Sequence, residues 1–224
     1  MPEGVRALLD LLLPVGCGGC DSPGSAWCRD CARLLGAPVR VHPPCCPASL
    51  PVHVLGAYRG PLRTALLAYK ERGRRDLAGP LGDALAAALL TLAVGAGGLY
   101  LVPVPSRWSA AARRGGPHMA LLADRAAATL AGAGMAAAVA PALRMARGVR
   151  DSVGLDLADR QANLMGRVLL RPAGLPPAGA SAVLVDDVVT TGATAAACAA
   201  TLRQAGVKMP AIVVLAGSGR HAPS

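Results

Sequence analysis

Two constellations in this 224-residue chain place residue types that can do chemistry at short spacing. The first is thiol: Cys17 and Cys20 form one C-x-x-C pair, Cys28 and Cys31 a second, with seven residues between the pairs. Each pair can present two thiolates to one side of a tetrahedral ion, so two pairs complete a closed tetrathiolate zinc site with no open position for substrate. The alternative for the four is a set of unliganded thiols. The second is carboxylate: Asp186 and Asp187 stand side by side after the apolar run "SAVLV" and just before Thr190, Thr191, Gly192, Ala193 and Thr194.

In a parallel α/β sheet, ligands bind beyond the carboxyl ends of the strands, where this acid pair is expected to fall. The threonines, glycine and alanine offer hydroxyls and closely spaced N–H groups at a helix start, a natural cradle for phosphate. Gly192 permits a close backbone approach that a side chain would obstruct. Carboxylates would repel a phosphate they touched, so they suit sugar hydroxyls or act as outer partners of a ligand-borne Mg2+. A ribose 5-phosphate fits both halves. The plainer alternative is a helix N-cap followed by solvated acid. Neither G-x-x-x-x-G-K-[ST] nor G-x-G-x-x-G occurs at a strand end, which sets aside the common nucleotide loops.

Basic residues could complete such a site. Ser106, Arg107, Arg113 and Arg114 follow "LVPVP" and could counter a leaving diphosphate; a solvated basic loop is the alternative. Lys70, with Arg72, Arg74 and Arg75, forms a second cluster that could reach the diphosphate, present a nucleic-acid surface, or simply face solvent. Arg160 and Asn163 lie three apart on one helical face and could fix a loop over the site. His118 is read as a helix-start residue rather than a general base. Cys45 and Cys46 are adjacent and followed by proline, a poorly specified second site, and Cys198 is read as a small buried residue.

The elements that must position these groups alternate. "VHVLGAY", "LYLVPVP", "SAVLVDD" and "PAIVVLAG" read as strands, with "RVLLR" and a stretch within 135–150 as further short ones. "PLRTALLAYKER", "DLAGPLGDALAAALLTLA", "HMALLADRAAATLAGAG", "LDLADRQANLMG" and "TAAACAATLRQAG" read as helices, the last stopped by Gly206. That alternation predicts a mostly parallel sheet with helices on both faces. Residues 1–50 form a separate unit, with an N-terminal helix, the four-cysteine zinc module and a Pro-rich connector; 51–217 form the α/β domain and 218–224 a tail.

Composition narrows the function classes. The chain is 53% hydrophobic but only 2% aromatic with no phenylalanine, so the core is aliphatic and base-stacking platforms are scarce. A net charge of +10 calls for an anionic ligand, either a phosphorylated small molecule or nucleic acid. No apolar run reaches the ~20 residues of a membrane span. In "VRALLDLLLPVGC", Asp10 interrupts the apolar segment and Pro14-Val15 makes a poor processing site, so a cytoplasmic chain with metal-binding or buried thiols is expected.

"VLVDDVVTTGAT" resembles the phosphoribosyl-pyrophosphate (PRPP) motif of type I phosphoribosyltransferases. The wider order of the C-x-x-C pairs, "YRGPLRTALLAYKERGRRDLAGPLGDAL", "LVPVPSRW", "DRQANLMG" and that motif resembles the ComF family of competence-associated, phosphoribosyltransferase-like proteins over nearly the whole length. The resemblance implies a type I phosphoribosyltransferase fold, Mg2+-dependent PRPP binding through Val185, Asp186, Asp187, Val188, Val189, Thr190, Thr191, Gly192, Ala193 and Thr194, and a part in DNA uptake. Within the motif, the acidic pair would contact the ribose hydroxyls and Thr190 to Thr194 the 5-phosphate. Transfer of the phosphoribosyl group to an unnamed acceptor is one implied activity. The other is a non-catalytic PRPP sensor or adaptor whose partner is single-stranded DNA or a helicase-like protein. "RRGGPHM" departs from the relatives' arginine loop at Gly116, Pro117 and His118, and the acceptor stays open there.

Overall fold

The computed structural model describes residues 16–94, 98–105, 118–146 and 167–218. After a short helix α1 (Arg29–Ala32) come strands β1 (Val39–Val41) and β2 (Val52–Ala57), then helices α2 (Gly60–Glu71) and α3 (Ala78–Thr91) joined through a 3-10 turn at Arg75–Leu77. Strand β3 (Leu99–Pro103), helix α4 (His118–Gly132) and strands β4 (Ala137–Val139), β5 (Leu143–Met145) and β6 (Val168–Leu170) follow. Strand β7 (Ser181–Val189), helix α5 (Ala193–Gln204) and strand β8 (Lys208–Gly217) complete the order.

Six strands form one sheet in the order β1-β2-β8-β7-β3-β4. Only β1 runs antiparallel to its neighbour; the other pairings are parallel. The central strands β7 and β8 are near-continuous Val, Ile, Leu and Ala because both of their faces are covered. Alternation divides their side chains between two cores. Val183, Val185, Val213 and Leu215 join leucines of α2, α3 and α4, whereas Ala182, Leu184, Ile212 and Val214 meet α5 and the β5–β6 pair. Helix α3 turns Leu81, Leu85, Ala88 and Leu89 inward and α4 turns Met119, Leu122, Ala126 and Leu130, each at 3-to-4 spacing. With no phenylalanine to fill volume, these leucines carry the larger core, each worth about 2 kcal/mol on burial.

The mixed α/β architecture with a mostly parallel sheet is thus as expected, and the differences are local. The connector between the cysteine module and the domain holds β1, which pairs with β2 and forms an edge of the main sheet. The weak region at 135–150 holds two short strands, β4 and β5, of which β5 pairs with β6 in a separate two-stranded sheet. The helix expected at "LDLADRQANLMG" lies outside the described residues. Among the described residues no helix is long and apolar enough to cross a membrane.

Candidate functional site

The Cys17, Cys20, Cys28 and Cys31 sulfurs all lie within 4.8 Å of one another. Local backbone draws them together: Asp21 N–H donates to the Cys17 carbonyl and Gly18 N–H to the Ala26 carbonyl, while Cys28 caps α1, which holds Cys31 on its buried side. Cys20 Sγ and Cys28 Sγ are 3.6 Å apart, close to the edge of about 3.8 Å for a tetrahedron of thiolates 2.3 Å from zinc. Four cysteines at this spacing could bind a metal such as zinc. Burial works to raise the Cys17 thiol, but N–H groups of Cys28, Cys20 and Gly19 outweigh it and bring the pKa to about 6; burial and the neighbouring thiols push Cys31 up. A metal held by all four thiolates would have no open position for substrate.

Asp186 and Asp187 lie inside β7 rather than beyond it, because the strand runs on to Val189. A strand turns successive side chains to opposite faces, so the two carboxylates cannot share one environment. Asp187 enters the side covered by α2 and α4 and is 3% exposed. Its Oδ2 lies 3.1 Å from Lys70 Nζ and 3.2 Å from His118 Nε2. Tyr69 packs edge-on against the His118 ring and donates its hydroxyl to the His118 carbonyl. Burial alone would raise Asp187, but the His118 hydrogen bond and the Lys70 charge hold it well below the usual carboxylate range. Asp186 turns towards α5 and accepts the Asp187 N–H at 2.9 Å. Desolvation, reinforced by the Asp187 charge, pushes Asp186 well above the ordinary value. One member of the pair therefore holds its charge and the other resists ionising.

Beside Asp187 opens a cleft of about 300 Å³, lined among the described residues by Tyr58, Leu66, Leu67, Lys70, Asp187, Val188 and Thr190. The loop that follows is shaped for close approach. Gly192 caps α5 at φ +79°, and a Cβ there would come within 2.7 Å of Cys46 Sγ and 2.8 Å of Pro43 Cβ. Glycine at the cap position offers no side-chain acceptor, and the Thr191 hydroxyl accepts the Ala193 N–H at 3.4 Å. Thr190 is exposed and Thr191 half-buried, while Val185 and Val189 serve the core. Cys45 and Cys46 take no part in a metal-capable group among the described residues. Cys45 N–H donates to the Thr191 carbonyl at 2.9 Å and Cys46 Sγ to the Gly192 carbonyl at 3.6 Å, so this pair clasps the loop. Cys198 is fully buried, as expected, and its thiol is pushed up by burial and by Asp186.

Ser106, Arg107, Arg113, Arg114, Gly116, Pro117, Arg160 and Asn163 lie outside the described residues. Among the described residues, Pro103 sits opposite Val185, and His118 contacts Asp187. His118 does begin a helix, and it also touches Asp187, a contact between residues 69 apart that no local pattern announces. In the basic cluster, Arg72 donates to the Thr64 carbonyl and Arg74 forks onto Asp76. Lys70 is engaged by Asp187, while Arg72 and Arg75 are exposed. A larger hollow of about 630 Å³ between the Leu34–Val39 segment and the start of α2 is lined, among the described residues, by Arg33 and Arg59 but by no carboxylate or thiol.

No protein-family model matches the chain, and no curated protein matches it.

Proposed function

We propose that the chain is a PRPP-binding protein with a type I phosphoribosyltransferase fold, of the ComF type, which binds the ligand with Mg2+ and transfers its phosphoribosyl group to an acceptor. One observation carries this reading: a parallel strand delivers Asp186 and Asp187 directly into a Thr-Thr-Gly-Ala-Thr turn whose left-handed glycine opens a helix start beside a small cleft. The first-turn N–H groups of α5, with the Thr190, Thr191 and Thr194 hydroxyls, would receive the 5-phosphate. Asp187, ionised and buried, would accept hydrogen bonds from the ribose hydroxyls, and Asp186, on the other strand face, would steady it by accepting the Asp187 N–H. Mg2+ would supply charge to the departing diphosphate. Lys70 and the arginines of the 106–117 segment would balance the remaining negative charge as the C1–O bond breaks.

Titration calorimetry of the zinc-loaded protein with PRPP tests the assignment. Binding that needs Mg2+ is expected, and Asp186→Asn with Asp187→Asn should weaken it by about 1.5–3 kcal/mol or more, as expected for lost hydrogen bonds to a charged group. Absence of binding, or unchanged affinity in the double variant, overturns it.

A further inference from the structure

Helix α2, which carries Lys70, is gripped at both ends by the four-cysteine module. At its start, Gly19 lies against Pro61, where an added Cβ would be 3.0 Å from the Pro61 carbonyl oxygen and 3.0 Å from Cys31 Sγ. Beyond its end, the Arg74 guanidinium donates to the Gly16 carbonyl at 2.8 Å while forking onto Asp76 at 2.8–3.1 Å. Gly18 meets fully buried Leu77, with a Cβ position 2.7 Å from its Cδ1. The contacts of the cysteine turn at Gly16, Gly18 and Gly19 thus fall on the start of α2 and on the 3-10 turn that follows it. That helix places the Lys70 ammonium on Asp187 in the cleft.

We propose that the four-cysteine module is a positioning element for the cleft: with a thiophilic divalent metal joining its four sulfurs, it braces both ends of α2 and, through Arg74, holds Lys70 on Asp187. Closing four thiolates on one ion fixes the turn that supplies the Gly16 carbonyl and the Gly18 and Gly19 surfaces. Without the ion, the braces at both ends of α2 loosen together and Lys70 is released. The consequence for ligand affinity rests on the PRPP reading; the positioning of Lys70 does not.

The chain has only two lysines, Lys70 and Lys208, which permits a direct test. An ammonium held on a carboxylate is acylated more slowly than an exposed one, and Lys208 is exposed at the start of β8. The full chain is pulsed with acetic anhydride and both sites are quantified by mass spectrometry, with zinc content and accessibility of the buried Cys198 thiol read in parallel. In zinc-loaded protein, Lys70 should label several-fold more slowly than Lys208. Chelation of the metal, and Arg74→Ala with zinc retained, should each raise Lys70 labelling towards that of Lys208 while Cys198 stays protected; Arg74→Lys should restore part of the protection. Unchanged Lys70 protection in both overturns the proposal. Should either treatment expose Cys198, the decision passes to Asp76→Asn, which weakens the Arg74 fork: a smaller rise in Lys70 labelling supports the positioning role and no rise overturns it. Mg2+-PRPP titration of Arg74→Ala is the second arm, with several-fold weaker binding expected. Failure of the wild-type chain to bind PRPP sinks the phosphoribosyl reading and leaves the labelling result to decide the brace.

Discussion

Asp186 and Asp187 differ by one position and by opposite electrostatic fates, and pH separates them. Asp186 has a folded pKa above its unfolded value of about 3.9. The folded state therefore binds more protons, and stability falls as pH rises from about 4 through the folded value. Asp186→Asn removes that loss, so its melting temperature should exceed wild type at pH 7, with the gap closing near pH 4. Asp187 is the reverse case: its lowered pKa contributes stability above about pH 4 that is lost as pH falls towards the folded value. Asp187→Asn should destabilise at pH 7 by about 1–2 kcal/mol, since the partly exposed Lys70 side chain recovers hydration and lowers the penalty. That deficit should shrink on acidification. Thermal melts of both variants from pH 3 to pH 8 check the two signs together.

At the level of elements, the junction of β7 with α5 is held by a segment far away in the chain. Pro43, Cys45 and Cys46 close over Gly192, whose φ of +79° an L-residue adopts only at a cost of about 1–2 kcal/mol. Gly192→Ala adds that strain and drives a Cβ into Cys46 Sγ and Pro43. The expected outcome is a loss of about 2–4 kcal/mol in denaturant unfolding, with the loop and cap effects combined. Cys46→Ala should relieve part of it, because the Cys46 sulfur is the nearest obstacle. A double variant no more stable than Gly192→Ala would show that backbone strain dominates.

Over the whole molecule, the four-cysteine module lies against the domain rather than apart from it, since Trp27 and Leu35 pack on the larger core. Metal removal should therefore be felt by the entire fold. Bound metal should measure one zinc per chain, and cobalt substitution should give the intense thiolate charge-transfer band of a tetrahedral all-sulfur site. Chelation should lower the melting temperature by several degrees, as expected when a ligand of the folded state alone is withdrawn. An unchanged melting temperature after complete removal would place the module outside the cooperative unit.

What sequence alone determined was whatever depends on local spacing. The strand and helix alternation, the aliphatic core, the C-x-x-C geometry and the position of the acid pair by a glycine-led helix all follow from residues near one another in the chain, where periodicity and turn chemistry act. Tertiary structure decided what depends on distant partners. That His118 and Lys70 converge on Asp187, that Cys45 and Cys46 clasp Thr191 and Gly192, and that Arg74 joins the cysteine turn to α2 are contacts across 58 to 146 residues. Such contacts arise only when the sheet brings the strand ends together. The contrast between Asp186 and Asp187 needed both levels: the period of a strand puts them on opposite faces, and the helices covering each face determine which carboxylate keeps its charge.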